Sequence, residues 1–194
     1  MLLTNISAIT GRTPTMTFTR RQWLQRLGWL AVLAATRPAR AAQSRQWDAL
    51  KARIRDRYPT VPQLPVAALH AWLQDAARPR PLLLDTRTAE EFADGHIEGA
   101  VRVDSVSEAM RRLSARPAGT TAVLYCSVGY RSSAMLDALK AKDATSIYNL
   151  EGSLFEWANA GYAVIADDGR RGKVHPYDRK WGALLRRDLW SREP

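Results

Sequence analysis

Hydrophobic residues along this chain follow two periods that take turns. Trp47, Leu50 and Ile54 recur at helical spacing and predict an amphipathic helix over residues 45–57. The proline-rich stretch 58–65 ends that helix and is expected to act as a linker. Residues 66–74 predict a short helix. Four short stretches, at 81–85, 100–103, 121–125 and 146–150, predict strands, the third of them an apolar run. Helical stretches fall between them, over 88–92, 105–113 and 133–140. Ser105 and Glu108 have the spacing of a capping box opening the second of these. Such alternation predicts an α/β fold, a mostly parallel central sheet with helices on both faces. A site in such a fold lies at the carboxyl edge of the strands. Beyond Ile165 comes a polar loop at 167–172, then a tail in which Trp181, Leu184 and Leu185 are expected to pack on the domain. Docking of that tail on a partner is the alternative, since Trp is enriched at interfaces.

The chain carries one cysteine, Cys126, so no disulfide can form within it. It opens the run Cys126-Ser127-Val128-Gly129-Tyr130-Arg131-Ser132, between a strand-like and a helix-like stretch. A strand, a tight loop and a helix start bring successive N–H groups and the positive end of a helix dipole toward one point. That environment lowers a thiol pKa and produces a nucleophile near neutrality. The competing reading is a buried free cysteine that acts as a small hydrophobe. Ser132 and Ser133 read as helix N-cap candidates.

Three ordered motifs carry a resemblance. The Cys-x-x-Gly-x-Arg-Ser loop resembles the active-site loop of rhodanese-like sulfurtransferases. Upstream, Asp85-Thr86-Arg87, Glu91-Phe92 and Gly95-His96-Ile97-Glu98-Gly99-Ala100 resemble the first signature of that family. Downstream, Asn149-Leu150-Glu151-Gly152-Ser153-Leu154-Phe155-Glu156-Trp157, then Gly161-Tyr162, is similar to its closing signature. Ser153 stands where the family often has a second glycine, which puts the backbone conformation there in question. The resemblance spans residues 63–165 and implies a rhodanese-like α/β fold.

The resemblance also implies a reaction. A loop of six residues from Cys126 through Arg131 suits a sulfur atom, whereas related phosphatases and arsenate reductases carry a longer loop for a tetrahedral oxyanion. The expected chemistry is ping-pong sulfur transfer, from thiosulfate or a persulfide to a thiol or cyanide acceptor, through a Cys126 persulfide. Ser127, Val128, Gly129, Tyr130 and Ser132 are the expected substrate-binding positions. The loop amides would hold the sulfur's charge. Arg131 either offers positive charge and forked donors to the reaction or ties the loop to a carboxylate; both readings stand. Ser127 and Tyr130 either touch substrate or point to solvent. Asp85 is expected to support the loop or to partner Arg87, and Arg87 to form an ion pair across one helical turn with Glu91, Glu90 being the alternative partner. No cofactor is expected. His70, His96 and His175 are scattered, so no metal site is expected either. Two other functions compete: a non-catalytic sulfur carrier or redox-partner module, and a phosphatase or arsenate reductase of the same fold.

The first 41 residues hold six arginines and no acidic residue. Thr19-Arg20-Arg21-Gln22-Trp23-Leu24 resembles a twin-arginine export motif, Leu27 to Ala35 is apolar, and Ala39-Arg40-Ala41 offers a cleavage site. Residues 1–41 are thus expected to be a signal peptide directing the protein to the periplasm, with either Met1 or Met16 as the start. The apolar run is too short to span a bilayer. Residues 42–62 are expected to form a helix and linker, 63–165 the domain and 166–194 the packed extension. The formal charge is +10; without the six leader arginines, 23 basic residues face 19 acidic ones, a net of +4. Nothing marks a nucleic-acid reader. The remaining positive excess suits a small anionic sulfur donor.

Overall fold

Parallel strands buried on both faces need apolar side chains in both directions, and that requirement places the central runs of this chain in one sheet. The structure, a computed structural model, describes residues 42–140 and 146–193. Residues 1–41, the expected leader, lie outside the described residues. The chain runs α1 (residues 42–57), β1 (Gln63–Pro65), α2 (Val66–Gln74), β2 (Leu82–Asp85), α3 (Ala89–Asp94), β3 (Val101–Arg102) and α4 (Val106–Ser114). It continues with β4 (Ala122–Tyr125), α5 (Tyr130–Lys140), β5 (Ile147–Glu151), α6 (Ser153–Asn159) and α7 (Arg179–Gly182). The five strands are all parallel, in the order β1-β5-β4-β2-β3.

Alternating side chains of the central strands feed two cores. Leu83, Val123, Tyr125 and Leu150 point into one, with Leu69 of α2 and Leu154, Phe155 and Trp157 of α6. Leu84, Ala122, Leu124 and Ile147 point into the other, with Leu113 of α4 and Leu136 and Leu139 of α5. Helix α1 contributes Trp47 to the first and Ile54 to the second. The segment after Ile165 adds Val174, Leu184, Leu185 and Trp190 to the first core, with Trp181 packed against it. Asn159 stitches this tail in place, donating from Nδ2 to the Leu184 carbonyl at 2.7 Å and accepting the Arg186 N–H at 2.9 Å. Among the described residues no helix is long and apolar enough to cross a membrane.

Three local expectations are corrected. The stretch taken as a linker contains β1, which pairs with β5 through Gln63↔Asn149, Leu64↔Leu150 and Pro65↔Glu151. Its prolines are tolerated because β1 is an edge strand, where a missing N–H costs no ladder bond on the open side. Helix α5 starts at Tyr130 rather than Ser133, so Ser132 and Ser133 lie inside it and cap nothing. The Ser105 hydroxyl does accept the Glu108 N–H, but the Glu108 carboxylate reaches the N–H of Asp104, so the box is half made. The complete box is at Thr88 and Glu91, opening α3.

Candidate active site

Strand β4 ends at Tyr125, and Cys126 is the first residue beyond its carboxyl end. The chain has only Cys126 to Gly129 in which to turn into α5. Gly129 makes this possible with φ +100°, a region L residues rarely adopt. Its N–H donates to Cys126 Sγ at 3.2 Å. A Cβ at this position would stand 3.3 Å from Asn149 Nδ2. The loop's outward carbonyls are tied elsewhere: Leu154 N–H donates to the Cys126 carbonyl at 3.1 Å and Phe155 N–H to that of Ser127 at 2.9 Å. The start of α6 thus holds the loop's carbonyls, leaving the Gly129 amide to face the sulfur. Ser153 adds a further tie. Its hydroxyl accepts the Cys126 N–H at 3.2 Å and donates to the Leu150 carbonyl at 2.9 Å. Ser153 does adopt a left-handed backbone, φ +50°, as the glycine usual at this place would.

A second set of groups fixes the loop's far end. Arg131 meets Glu91 in a two-point ion pair, Nη2 to Oε1 at 2.7 Å and Nη1 to Oε2 at 2.9 Å. The Ser127 hydroxyl bridges the pair, accepting from Arg131 Nη2 and donating to Glu91 Oε1, each at 3.0 Å. The expected Arg87–Glu91 ion pair does not form. Arg87, 1% exposed, turns back to Asp85 with Nε and Nη2, and its Nη1 reaches the backbone carbonyl of Glu91. Asp85 also accepts the Arg87 N–H, so the pair braces the turn between β2 and α3 rather than the sulfur site. This leaves the Glu91 carboxylate free for Arg131, forty positions along the chain.

Ser132 and Asn149 complete the floor. Both are fully buried, and the Ser132 hydroxyl donates to Asn149 Oδ1 at 2.6 Å. Asn149 Nδ2 donates to Gln63 Oε1 at 2.7 Å, its partner across the β1–β5 register. The sequence reading missed the roles of Asn149 and Gln63. A polar residue inside an otherwise apolar strand run was the available signal. Of the residues singled out beforehand, Cys126 to Ser132 and Glu91 come together, while Asp85 and Arg87 stand apart as a brace. Tyr130 is exposed at 44%, its ring edge-on to Tyr58.

The electrostatics favour a thiolate. Burial pushes the Cys126 thiol up, since the sulfur sits in a residue only 1% exposed. The Arg131 charge, the Ser132 N–H and the Gly129 N–H outweigh it, and the thiol lies below its ordinary value. Burial likewise opposes ionisation of Glu91, but the Arg131 hydrogen bonds, the Thr88 N–H and the charges of Arg131 and Arg87 bring it down to about 2. Arg131 in turn is held above its usual range, chiefly by Glu91, against the effect of burial. Above the loop opens a cavity of about 1020 Å³ with Cys126 on its floor. Among the described residues no group of three or more His, Cys, Asp and Glu side chains could hold a metal.

A strand, a cysteine turn over Cys126 to Gly129 and a helix whose first turn carries Arg131, at the carboxyl edge of a five-stranded parallel sheet, define a rhodanese-like domain. Residues 67–160 match the rhodanese-like domain family. The chain is 32% identical over 88 residues to a sulfurtransferase of Allochromatium vinosum, covering 45% of this chain and 81% of that protein. It is 35% identical over 91 residues to a probable adenylyltransferase/sulfurtransferase, MoeZ, of Mycobacterium tuberculosis, over 46% of this chain. The chain spans only 23% of that relative's length. A crystal structure of a Bacillus halodurans protein shares the fold, with TM-score 0.51 and 15% identity over 71% of this chain and 97% of that one. The chain belongs to the rhodanese-like family.

Proposed function

We propose that this protein is a sulfurtransferase that carries sulfane sulfur on Cys126, and that it is exported to the periplasm through the leader at 1–41. The observation behind the chemistry is the Gly129 N–H aimed at Cys126 Sγ from 3.2 Å, beside a fixed guanidinium. In the first half-reaction the Cys126 thiolate attacks the outer sulfur of thiosulfate. The S–S bond of the donor breaks with its electron pair leaving on sulfite, and a persulfide forms on Cys126. In the second, an acceptor thiolate or cyanide attacks the outer persulfide sulfur, and Cys126 departs as thiolate. Charge is conserved in both steps, and neither an oxidant nor a metal enters. The N–H groups of Gly129 and Ser132 and the charge of Arg131 stabilise the negative sulfur at each stage, as an oxyanion hole does. The turn from Cys126 to Gly129 is closed around one atom, which supports sulfur over a phosphoryl group.

Intact-mass measurement tests the chemistry. The purified protein gains about 32 Da, one sulfur atom, on treatment with thiosulfate, and Cys126→Ser does not. No gain with thiosulfate or any persulfide donor rules the proposal out. Cell fractionation followed by N-terminal sequencing tests the address: a periplasmic chain beginning near residue 42 is the expected result.

A further inference from the structure

The cavity over Cys126 is larger than the proposed inorganic donor requires. Its volume, about 1020 Å³, is at the top of the roughly 300–1,000 Å³ typical of sites for drug-sized organic molecules. Thiosulfate or cyanide would occupy only the floor. Beyond the cysteine turn and the start of α5, the walls come from segments outside the family match at 67–160. Helix α1 supplies Leu50, Arg53 and Arg57, and the tail supplies Tyr177, Lys180 and Trp181.

These walls share a chemistry. Four cations, Arg53, Arg57, Arg131 and Lys180, line the cavity against one carboxylate, Asp56. Glu91 holds Arg131, but Arg53, Arg57 and Lys180 form no ion pair among the described residues. Tyr130 and Tyr177, the large hydrophobic residues left exposed among the described ones, at 44% and 49%, both line this cavity. Tyr177 is held with φ +69°, a costly conformation for a non-glycine residue, and its ring lies 5.3 Å from the Arg131 guanidinium. Arg57 and Lys180 lie over the rings of Tyr58 and Trp181, so their charge is not neutralised by a carboxylate. Cations outside any ion pair and exposed rings together match a partner that carries anionic groups and planar groups at once.

We propose that the cavity binds the body of an anionic organic thiol or persulfide, with carboxylate or phosphate groups facing Arg53, Arg57 and Lys180 and a planar group against Tyr130 or Tyr177. The inference rests on the sulfur-transfer reading and names its organic substrate class. In the transfer itself the bound thiolate attacks the outer sulfur of the Cys126 persulfide. The persulfide S–S bond breaks, a new one forms on the organic sulfur, and the electron pair returns to Cys126. A peptide thiol such as glutathione and a nucleotide thiol such as coenzyme A share the required chemistry, and the two are separated by measurement.

The test uses full-length Cys126→Ser and equilibrium titration with compounds that cannot transfer sulfur. S-methylglutathione and S-methyl-coenzyme A are compared with neutral 2-(methylthio)ethanol. Saturable binding of at least one anionic thioether, and none of the neutral one, is expected. The exposed pair Arg53→Glu with Lys180→Glu, added to that background, weakens it by up to about twenty-five-fold, each lost surface contact contributing up to roughly a five-fold factor. Whichever thioether binds identifies the source. Equal binding of the neutral compound, no binding of either anionic one, or indifference to the charge reversal overturns the inference. The readout needs no thiolate, so a failed mass gain with thiosulfate would condemn the sulfur-transfer reading separately.

Discussion

Replacing Arg131 by glutamine separates its two roles. In the folded protein Glu91 ionises at about 2 instead of its ordinary 4.5. At roughly 1.4 kcal/mol per unit, that shift corresponds to about 3 kcal/mol of stability above pH 4.5. The Thr88 N–H and the Arg87 charge supply part of it and survive the substitution. Arg131 is 36% exposed and partly screened, so its share comes to about 2 kcal/mol. Arg131→Gln should therefore lose about 2 kcal/mol in urea unfolding at pH 7. The sign follows from the depressed carboxylate: the contribution is complete above 4.5 and disappears as pH falls through about 2. The gap between wild type and variant should close over that window. Adding Glu91→Gln removes the stranded carboxylate and should return at least ~1 kcal/mol, because the two sites are coupled. The thiol behaves differently. Arg131 provides the largest effect lowering the Cys126 pKa, so both variants shift the pH profile of alkylation upward. Turnover falls at least tenfold in both, the loss of one charge-assisted contact of about 1.5–3 kcal/mol. A double variant as unstable as the single one, or one with a restored thiol profile, would refute this division.

Asn149→Ala removes the acceptor of the buried Ser132 hydroxyl and the partner of Gln63. It should cost about 1–3 kcal/mol in chemical denaturation and slow persulfide loading, through a residue that does not itself react. Truncation after Ile165 removes Val174, Leu184, Leu185 and Trp190 from the core. At about 1.5–3 kcal/mol for each buried side chain, the loss rivals a whole domain's stability, and circular dichroism should show no cooperative melt. A truncated chain that melts normally would refute packing, and one that also loses partner binding would support docking.

The parts of this molecule that were legible in the sequence are those set by near neighbours. The central strands show as apolar runs, α1 as helical spacing and the cysteine turn as a strand, glycine and helix in order. Strand β1 was hidden because its three residues sit among prolines and gain strand character only by lying beside β5. The i to i+4 spacing of Arg87 and Glu91 suggested a local pair. Asp85, two residues before Arg87, is closer in the fold and captures it, which frees Glu91 for a partner forty positions away. Asn149 showed in the sequence only as a polar residue within a strand, because its role as a support depends on the registers that set it opposite Gln63 and Leu124. The cavity walls come from segments that the family motifs do not cover, and no spacing rule places Tyr177 near Arg131.

Ser153 gives the site a mechanical property. A glycine there would turn more easily, since its φ of +50° favours a residue without Cβ. It would also lack the hydroxyl that ties the Cys126 amide to the Leu150 carbonyl. The chain accepts a harder bend and gains stiffness, because the seat of the sulfur and the following crossover are riveted into a single frame.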